Sequence, residues 1–273
     1  MRLATFNLLH GRSLTDGLVD PDRLTAALTT LDADVLALQE VDRNQTRSGN
    51  LDLTAIAARA LNAPQHRFAA ALVGTPGEHF RPLHHDDDGH GEPCYGIGLI
   101  TRHPVRTWQV TRLKPAPVRA PVYIPGHGLT LLEDEPRVVL AAVLDTPHGD
   151  ITVAATHLSF VPGWNAHQLR QTIHALPAPR ILLGDLNLPA GPARLISGWT
   201  PLGRRPTYPA ARPRVQLDHI LADPHQRHRL PPVTAVTTPA TTISDHRPLV
   251  VDLGRHPGHA RPRQAPPLPD QRR

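Results

Sequence analysis

One stretch of this chain decides its fold class: Ile181-Leu182-Leu183-Gly184-Asp185-Leu186-Asn187-Leu188-Pro189. A run of aliphatic residues stops abruptly at Gly-Asp-x-Asn. A short aliphatic run bounded by turn residues is typical of a buried β-strand. Taken alone, Gly-Asp-x-Asn is as well explained by an ordinary turn, because Gly, Asp and Asn are common turn residues. The functional interpretation depends on whether the pattern recurs.

The same arrangement does recur along the chain. Five other strand-like segments each place Asn, Asp, Glu or His near one end, and they are Thr5-Phe6-Asn7, Val35 to Glu40, Val153 to His157, Leu217 to Leu221 and Ile243 to Pro248. In an α/β protein such strand ends can gather at one edge of the sheets and form a cleft. Six such segments in one chain predict a functional site.

The residue types at these ends indicate the chemistry. Carboxylate and amide oxygens without cysteine suit a hard cation such as Mg²⁺. Two histidines add groups that transfer protons or stabilise negative charge. Together they predict a metal-assisted hydrolase that acts on phosphate esters.

These blocks, in this order over residues 2 to 253, resemble the endonuclease/exonuclease/phosphatase superfamily. That superfamily contains DNase I, apurinic endonucleases, neutral sphingomyelinases and inositol polyphosphate 5-phosphatases. The resemblance implies a metal site with Glu40 as principal ligand, Asn7 as its partner and Asp245 beside the metal. It also implies Mg²⁺ as the cofactor, with Mn²⁺ as the alternative, and does not decide between one metal ion and two.

The resemblance assigns the other blocks to catalysis. Asp185 corresponds to the residue that orients or deprotonates the attacking water, and Asn187 to a residue that holds the phosphate. The resemblance also implies that His246 contacts the scissile phosphate or acts as the base, and that Asp218 fixes its tautomer. His157 matches a second histidine of the DNase I and sphingomyelinase branches.

Two substrate-binding candidates follow from the same comparison. Arg137, in Glu-Pro-Arg before a strand, is placed like a phosphate-contacting arginine of several branches. Tyr95 begins Tyr-Gly-Ile-Gly-Leu-Ile-Thr-Arg, which is similar to a family strand. This chain has Ile97 and Gly98 where that strand has a frequent asparagine and the usual alanine, so any polar contribution from position 97 is lost.

Alternating strand and helix patterns predict one α/β domain over residues 1–254. Strands are expected at 2–7, 35–39, 67–72, 97–101, 106–112, 137–144, 151–156, 180–184, 215–221, 233–237 and 248–253, with helices at 20–32, 51–61 and 165–175. Long loops are expected at 74–94 and 113–136. Two sheets packed face to face with helices outside is the layered arrangement this pattern favours, and the resemblance implies the same four-layer α-β-β-α sandwich.

The basic charge of the chain lies mainly in its last residues. The formal net charge is +5 and the sequence pI is near 10.3. Residues 255–273 carry five arginines and one aspartate, so the domain itself is left at +1. This Pro- and Arg-rich tail cannot build a core and is expected to be disordered. The near-neutral domain gives no support for tight duplex DNA binding, although a nucleic acid substrate stays open.

Several alternatives for function therefore remain. The leading interpretation is a phosphodiesterase of undefined substrate, and the alternatives are a DNA nuclease, a phospholipid or inositol-phosphate esterase, and a non-catalytic polyanion-binding module. The one cysteine, Cys94, excludes an internal disulfide, and no apolar run approaches the roughly 18 residues of a membrane span. We therefore expect a soluble, cytoplasmic monomer.

Overall fold

The computed structural model describes residues 1–83, 87–124, 128–147, 149–178, 180–225 and 230–254. The tail expected at 255–273 lies outside these residues. The strands are β1 (Arg2–Asn7), β2 (Val35–Arg43), β3 (Gln65–Gly74), β4 (Phe80–Pro82), β5 (Cys94–Thr101), β6 (Val105–Leu113), β7 (Ala120–Ile124), β8 (Gly128–Leu132), β9 (Arg137–Thr146), β10 (Gly149–His157), β11 (Arg180–Asp185), β12 (Thr200–Pro201), β13 (Asp218–Ala222), β14 (Val233–Thr237) and β15 (Leu249–Leu253). The helices are α1 (Pro21–Leu31), α2 (Leu53–Ala60), α3 (Trp164–Ala175) and α4 (Ala190–Ser197).

The strands form two mixed sheets that pack face to face. The first has the order β14-β15-β1-β2-β5-β3-β4, and the second has the order β12-β13-β11-β10-β9-β6. Helices α1 and α2 cover the outer face of the first sheet, while α3 and α4 cover the second. This is the predicted four-layer α-β-β-α sandwich.

The central strands are apolar on both faces because each lies between two cores. In β11, Ile181 and Leu183 face the core between the sheets, whereas Leu182 packs under α3 and α4. In β1, Leu3 faces the inner core and Phe6 packs under α1. Strands buried on both faces give continuous hydrophobic runs rather than an alternating pattern. The aliphatic stretch at 181–183 is the sequence signature of this position.

Helix α1 begins where the sequence indicates. The Asp20 carboxylate accepts hydrogen bonds from the backbone N–H groups of Asp22 and Arg23, and Pro21 occupies the first helical position. A carboxylate cap and an N-terminal proline both favour a helix start. Its buried residues include Leu24 and Leu28, as the periodicity predicts.

The two expected long loops are the main errors in the fold prediction. Residues 113–136 contain a hairpin of β7 and β8, because segments 120–124 and 128–132 are rich in strand-forming residue types, and Pro121 is accommodated within β7. Within 74–94, β4 pairs with the end of β3. Helix α4 was not predicted, and β13 begins at Asp218 rather than at residue 215.

Within the described ranges, no helix is both long enough and apolar enough to cross a membrane.

Gly184 should tolerate no side chain, because strands β10 and β11 approach closely there. A Cβ at this position would collide with the carbonyl oxygen of Thr156. We expect Gly184→Ala to lower the free energy of unfolding by about 1–3 kcal/mol, the usual cost of overpacking. Denaturant unfolding measures this change.

Gly191→Ala is the matched control, because Gly191 lies in α4 with open space around it. Alanine is the better helix former there by roughly 1 kcal/mol. Equal stability of the wild type and Gly184→Ala would contradict the close approach of the two strands.

Candidate active site

Polar side chains from both sheets meet at one edge of the sandwich. Strands β1 and β2 run parallel, and Asn7, at the end of β1, lies beside Gln39 just before the β2 bulge. In the second sheet, His157 pairs in register with Asp185, and Asp185 pairs with Asp218 at the start of antiparallel β13. Parallel strands bring their carboxyl ends to the same edge of a sheet. Five of the predicted segments therefore converge.

Glu40 reaches this edge because strand β2 is irregular at that point. The pairing of β2 with β5 shifts register between Leu38 and Val41, and Glu40 has a positive φ of 53°. Positive φ is uncommon for a residue with a side chain, and bulges of this kind redirect side chains near active sites. The strand was predicted to stop at residue 39, but it continues past the bulge to Arg43.

The Asn7 side chain connects the two sheets. Its Nδ2 donates hydrogen bonds to Glu40 Oε1 at 2.9 Å and to Asp185 Oδ2 at 3.1 Å. Its Oδ1 accepts a hydrogen bond from the Leu9 N–H at 3.0 Å, which fixes the direction of the amide. Asn7 therefore holds two carboxylates from opposite sheets at a single point.

The Gly-Asp-x-Asn turn holds Asp185 and Asn187 together. The Asn187 N–H donates to Asp185 Oδ1 at 2.9 Å, and Asn187 has a φ of 50°. Its Nδ2 donates to the Leu158 carbonyl at 2.9 Å and lies 3.3 Å from His157 Nε2. Asn165, in α3, donates to the Asn187 carbonyl oxygen. The turn and the catalytic function proposed from the sequence are thus compatible.

His246 is fixed by Asp218 and by the loop that carries it. His246 Nδ1 lies 2.8 Å from Asp218 Oδ2, and its Nε2 points toward Asp185 with a separation of 3.8 Å from Oδ2. Ser244 Oγ donates to the Asn7 carbonyl and accepts a hydrogen bond from the His246 N–H. The Tyr208 ring lies against the imidazole, with 4.9 Å between centroids.

Burial and charge shift the pKa values of these groups. Burial raises the pKa of Glu40 to about 7, and nearby Asp245 adds to the effect while the Asn7 hydrogen bond opposes it. Burial also raises the pKa of Asp185, against the opposing charge of His246. Burial lowers the pKa of His157 well below its usual value.

His246 behaves differently from His157. Burial tends to lower its pKa, but Asp218, Asp185 and Asp245 together outweigh burial and raise the pKa to about 10. The site therefore pairs an imidazolium at His246 with a neutral imidazole at His157. Perturbed pKa values of this size concentrate at functional sites.

Two sets of ligands could hold a metal ion. Ligand atoms of Asp185, Asp218 and His246 lie within 4.8 Å of one another, which suggests a divalent metal. In that set, Asp218 Oδ2 is paired with a protonated His246, whereas Asp218 Oδ1 is buried and has no hydrogen-bond partner among the described residues. A protonated imidazole cannot bind a metal. The carboxylate of Glu40, with Asp185 and Asp245 nearby, is the set better suited to a hard cation.

The other two candidates lie beside Glu40. Arg137 is only 4% exposed and forms ion pairs with Asp134 and Glu135 at 3.4 and 3.6 Å. Tyr95 is buried, and the charge of Glu40 contributes to raising its pKa after burial itself. Both therefore border the site, with Arg137 enclosed by carboxylates.

Sequence reasoning missed several residues that build the site. Ser244, Asn165 and Glu135 were not singled out, although Ser244 donates a hydrogen bond to the Asn7 carbonyl and Asn165 donates one to the Asn187 carbonyl. Arg47 was also missed, and it lies over the Tyr95 ring with 5.7 Å between the guanidinium carbon and the ring centroid. His219, which follows Asp218 in β13, is buried and its Nε2 lies 2.8 Å from the Leu188 carbonyl oxygen.

Comparison with known proteins gives a consistent result. A model of the endonuclease/exonuclease/phosphatase family matches residues 4–246. An endonuclease/exonuclease/phosphatase from Beutenbergia cavernae DSM 12333 is 24% identical, with a TM-score of 0.62 over 96% of this chain and 73% of that chain. No curated protein sequence matches the chain.

Two further solved structures share the fold at lower identity. A mannosyl-6-phosphatase from Bacteroides thetaiotaomicron is 16% identical, with a TM-score of 0.57 over 93% of this chain and 99% of that chain. Sphingomyelinase C from Streptomyces griseocarneus is also 16% identical, with a TM-score of 0.58 and the same coverage. At these identities the similarity establishes the fold and leaves the substrate open.

Replacing Asp218 should lower the pKa of His246. Asp218→Asn keeps a hydrogen-bond acceptor but removes the charge that favours the imidazolium. A raised pKa stabilises the fold fully below the unfolded pKa of about 6.5, and this contribution disappears as the pH rises through about 10. We therefore expect the stability difference between the metal-free wild type and Asp218→Asn to narrow from pH 7 to pH 10.

NMR titration of His246 measures the pKa directly, and chemical unfolding measures the stability difference. Asp223→Asn is the control, because Asp223 is also buried and ion-paired, at 2.9 Å from Arg180, just beyond the other end of β13. An unchanged His246 titration in Asp218→Asn would contradict the assigned role of Asp218.

Proposed function

The chain belongs to the endonuclease/exonuclease/phosphatase family, and we propose that it is a divalent-metal-dependent phosphoesterase that hydrolyses its substrate by in-line attack of water. The observation that carries this proposal is that the Asn7 amide holds Glu40 and Asp185 together, with His246 Nε2 3.8 Å from Asp185. It provides a candidate metal ligand, a candidate base and a cationic group at one edge of the sandwich.

Glu40 is the proposed principal ligand, with Asp245 assisting. Asn7, the expected partner of Glu40 in the metal site, is proposed to orient that carboxylate, because its Nδ2 donates to Glu40 and its Oδ1 accepts from the Leu9 N–H. The carboxylates fit Mg²⁺, or Mn²⁺ as the alternative, because carboxylate oxygens are hard ligands. The raised pKa of Glu40 supports this, since a buried carboxylate close to Asp245 needs a compensating positive charge. When bound, such an ion polarises a phosphoryl oxygen and stabilises developing negative charge.

Asp185 is the proposed base that aligns and deprotonates the water. Its carboxylate is buried between Asn7, Asn187 and His246, and burial raises its pKa toward the range useful for proton transfer. His246 is less suited to this role, because Asp218 keeps it protonated. Asp185 is therefore the proposed base, and His246 is the proposed positive charge beside it.

His246, His157 and Asn187 are proposed to stabilise the charge that grows on the phosphoryl oxygens. A protonated His246 supplies a positive charge, and Asn187 and the neutral His157 supply hydrogen-bonding groups. Such preorganised donors act most strongly in a site shielded from water. Arg137 and Tyr95 are proposed to line the substrate side of the cleft.

The proposed substrate is a phosphate ester of undefined identity, and the first test uses the diester bis(p-nitrophenyl) phosphate. A DNA strand and a phospholipid, inositol-phosphate or sugar-phosphate ester are the alternatives. The folded domain carries a formal charge of only +1, so nonspecific attraction to duplex DNA is weak. A non-catalytic polyanion-binding role is the minor alternative, and absence of turnover with every divalent metal would favour it.

Glu40→Gln should abolish most of the activity, because it preserves shape but removes the charge that a hard cation requires. Excess Mg²⁺ should restore only part of the rate. The same ion should raise the Tm of the wild type but not of the variant, since only the wild type gains stability by binding. Hydrolysis and thermal unfolding with Mg²⁺, Mn²⁺ or EDTA measure both effects.

Glu78→Gln is the matched control, because Glu78 is an exposed glutamate outside the catalytic cluster. Its variant should keep the metal dependence of the wild type. Wild-type hydrolysis that persists in EDTA would refute the metal requirement.

Asp185→Asn and Asn187→Ala should separate water activation from phosphate binding. Asp185→Asn is nearly isosteric but cannot accept the proton of water, so kcat should fall by about 10² to 10⁴ fold while KM changes little. Asn187→Ala should also raise KM, because it removes a proposed ground-state contact. Steady-state kinetics distinguishes the two patterns. A raised KM with wild-type kcat in Asp185→Asn would instead make Asp185 a binding residue.

A further inference from the structure

Arg47 is an arginine at the site edge whose orientation is fixed by a buried partner. Its Nε donates to Asp42 Oδ2 at 2.9 Å and its Nη2 donates to Asp42 Oδ1 at 2.8 Å. The Asp42 side chain is fully buried, while that of Arg47 is 29% exposed. A bidentate pair of this kind holds the guanidinium plane in one direction.

This pairing leaves one end of the guanidinium group available. Within the described residues, Nη1 of Arg47 has no hydrogen-bond acceptor, and both of its N–H groups are free. The group lies over Tyr95 and is close enough to Glu40 for the two charges to interact. Arg47 therefore presents free donors beside the proposed metal ligand.

The loop that carries Arg47 is held rigidly. It is closed by hydrogen bonds from Asn44 N–H to the Leu51 carbonyl and from Asn50 N–H to the Gln45 carbonyl. The Gln45 side chain also donates to the Gly74 carbonyl and accepts from Thr75 Oγ1. A binding residue on a fixed loop loses little entropy when its ligand arrives.

The two arginines near the site thus differ in what they can contact. Arg137 is almost fully buried between Asp134 and Glu135, which compensate its charge. Arg47 has one carboxylate partner, a partly exposed side chain and two unused donors. The geometry assigns Arg47, which sequence reasoning did not single out, to an accessible position for an anionic oxygen.

We infer that Arg47 binds a further negative charge of the substrate, and so selects phosphate esters that carry one beyond the single charge of a simple diester. The charge comes either from the second ionisation of a terminal phosphate or from a neighbouring phosphate. This inference rests on the proposed phosphoesterase function and narrows its substrate class. A charge-assisted hydrogen bond at a partly exposed position favours such substrates by about tenfold.

The test compares substrates that differ in this charge. The terminal-phosphate arm uses p-nitrophenyl phosphate against bis(p-nitrophenyl) phosphate. The neighbouring-phosphate arm uses thymidine 5′-(p-nitrophenyl phosphate) with and without a 3′-phosphate. The arm in which the wild type prefers the more charged ester identifies the source of the charge.

Arg47→Lys should remove that preference. A lysine ammonium can still pair with Asp42, but it lacks the planar fork that reaches both Asp42 and a substrate. We expect KM for the preferred, more charged ester to rise about tenfold and KM for its less charged partner to change less than twofold. Arg23→Lys is the matched control, because Arg23 is also 29% exposed and is paired with Asp16 and Asp20.

A double variant and a binding measurement test Arg47 even if Arg47→Lys does not fold or the wild type hydrolyses no ester. If Arg47→Lys does not fold, Asp42→Asn combined with Arg47→Gln removes both charges of the buried pair and should show the same loss. If the wild type hydrolyses no ester, the phosphoesterase proposal fails, and calorimetry with inorganic phosphate and Mg²⁺ still tests Arg47. The inference would be overturned if Arg47→Lys changed the substrate preference or the phosphate affinity no more than Arg23→Lys does. It would also be overturned if the wild type bound no phosphate.

Discussion

The Asn7 amide is the interaction on which the rest of the site depends. Its two N–H groups are shared between Glu40 in one sheet and Asp185 in the other, and its oxygen is occupied by Leu9. Two buried carboxylates repel each other unless donors or cations lie between them. One neutral amide can hold them close, but it does not neutralise their charge. This imbalance leaves the cleft suited to a cation.

Three residues around this arrangement have unusual backbone conformations. Glu40, Asn187 and Ser244 all have positive φ angles, at 53°, 50° and 68°. Such conformations cost of order 1–3 kcal/mol each when the residue has a side chain, and their occurrence together at one edge of the sandwich indicates a functional constraint. Each redirects a polar group that a regular strand or turn would have placed elsewhere. Ser244, for example, links the end of β1 to the loop that carries His246, because its Oγ donates to the Asn7 carbonyl and accepts from the His246 N–H.

Most of the fold could be predicted from the sequence, because buried parallel strands leave unmistakable aliphatic runs such as Ile181 to Leu183. The β7–β8 hairpin could not, because prolines around it resemble a loop signal and, in the part of the chain that the structure describes, its short strands form a sheet of their own. The convergence of Asn7 and Asp185 followed from their positions at strand ends, whereas Glu40 reaches the site through a bulge within β2 and His246 lies in the loop before β15. Arg47 gave no such signal: it lies in a short loop, and its orientation depends on the buried Asp42.

Under the proposed function, local charge rather than the net charge of residues 1–254 determines which phosphate ester binds. A domain with a formal charge of +1 generates little long-range attraction for a polyanion. The site contains several carboxylates, and each of its cationic side chains is held by its own acidic partner. His246 is paired with Asp218, Arg137 with Asp134 and Glu135, and Arg47 with Asp42. Of the two arginines, only Arg47 is substantially exposed. Specificity in such a site depends on where individual hydrogen-bond donors point. A surface that binds polyanions through its net charge does not require such precise placement.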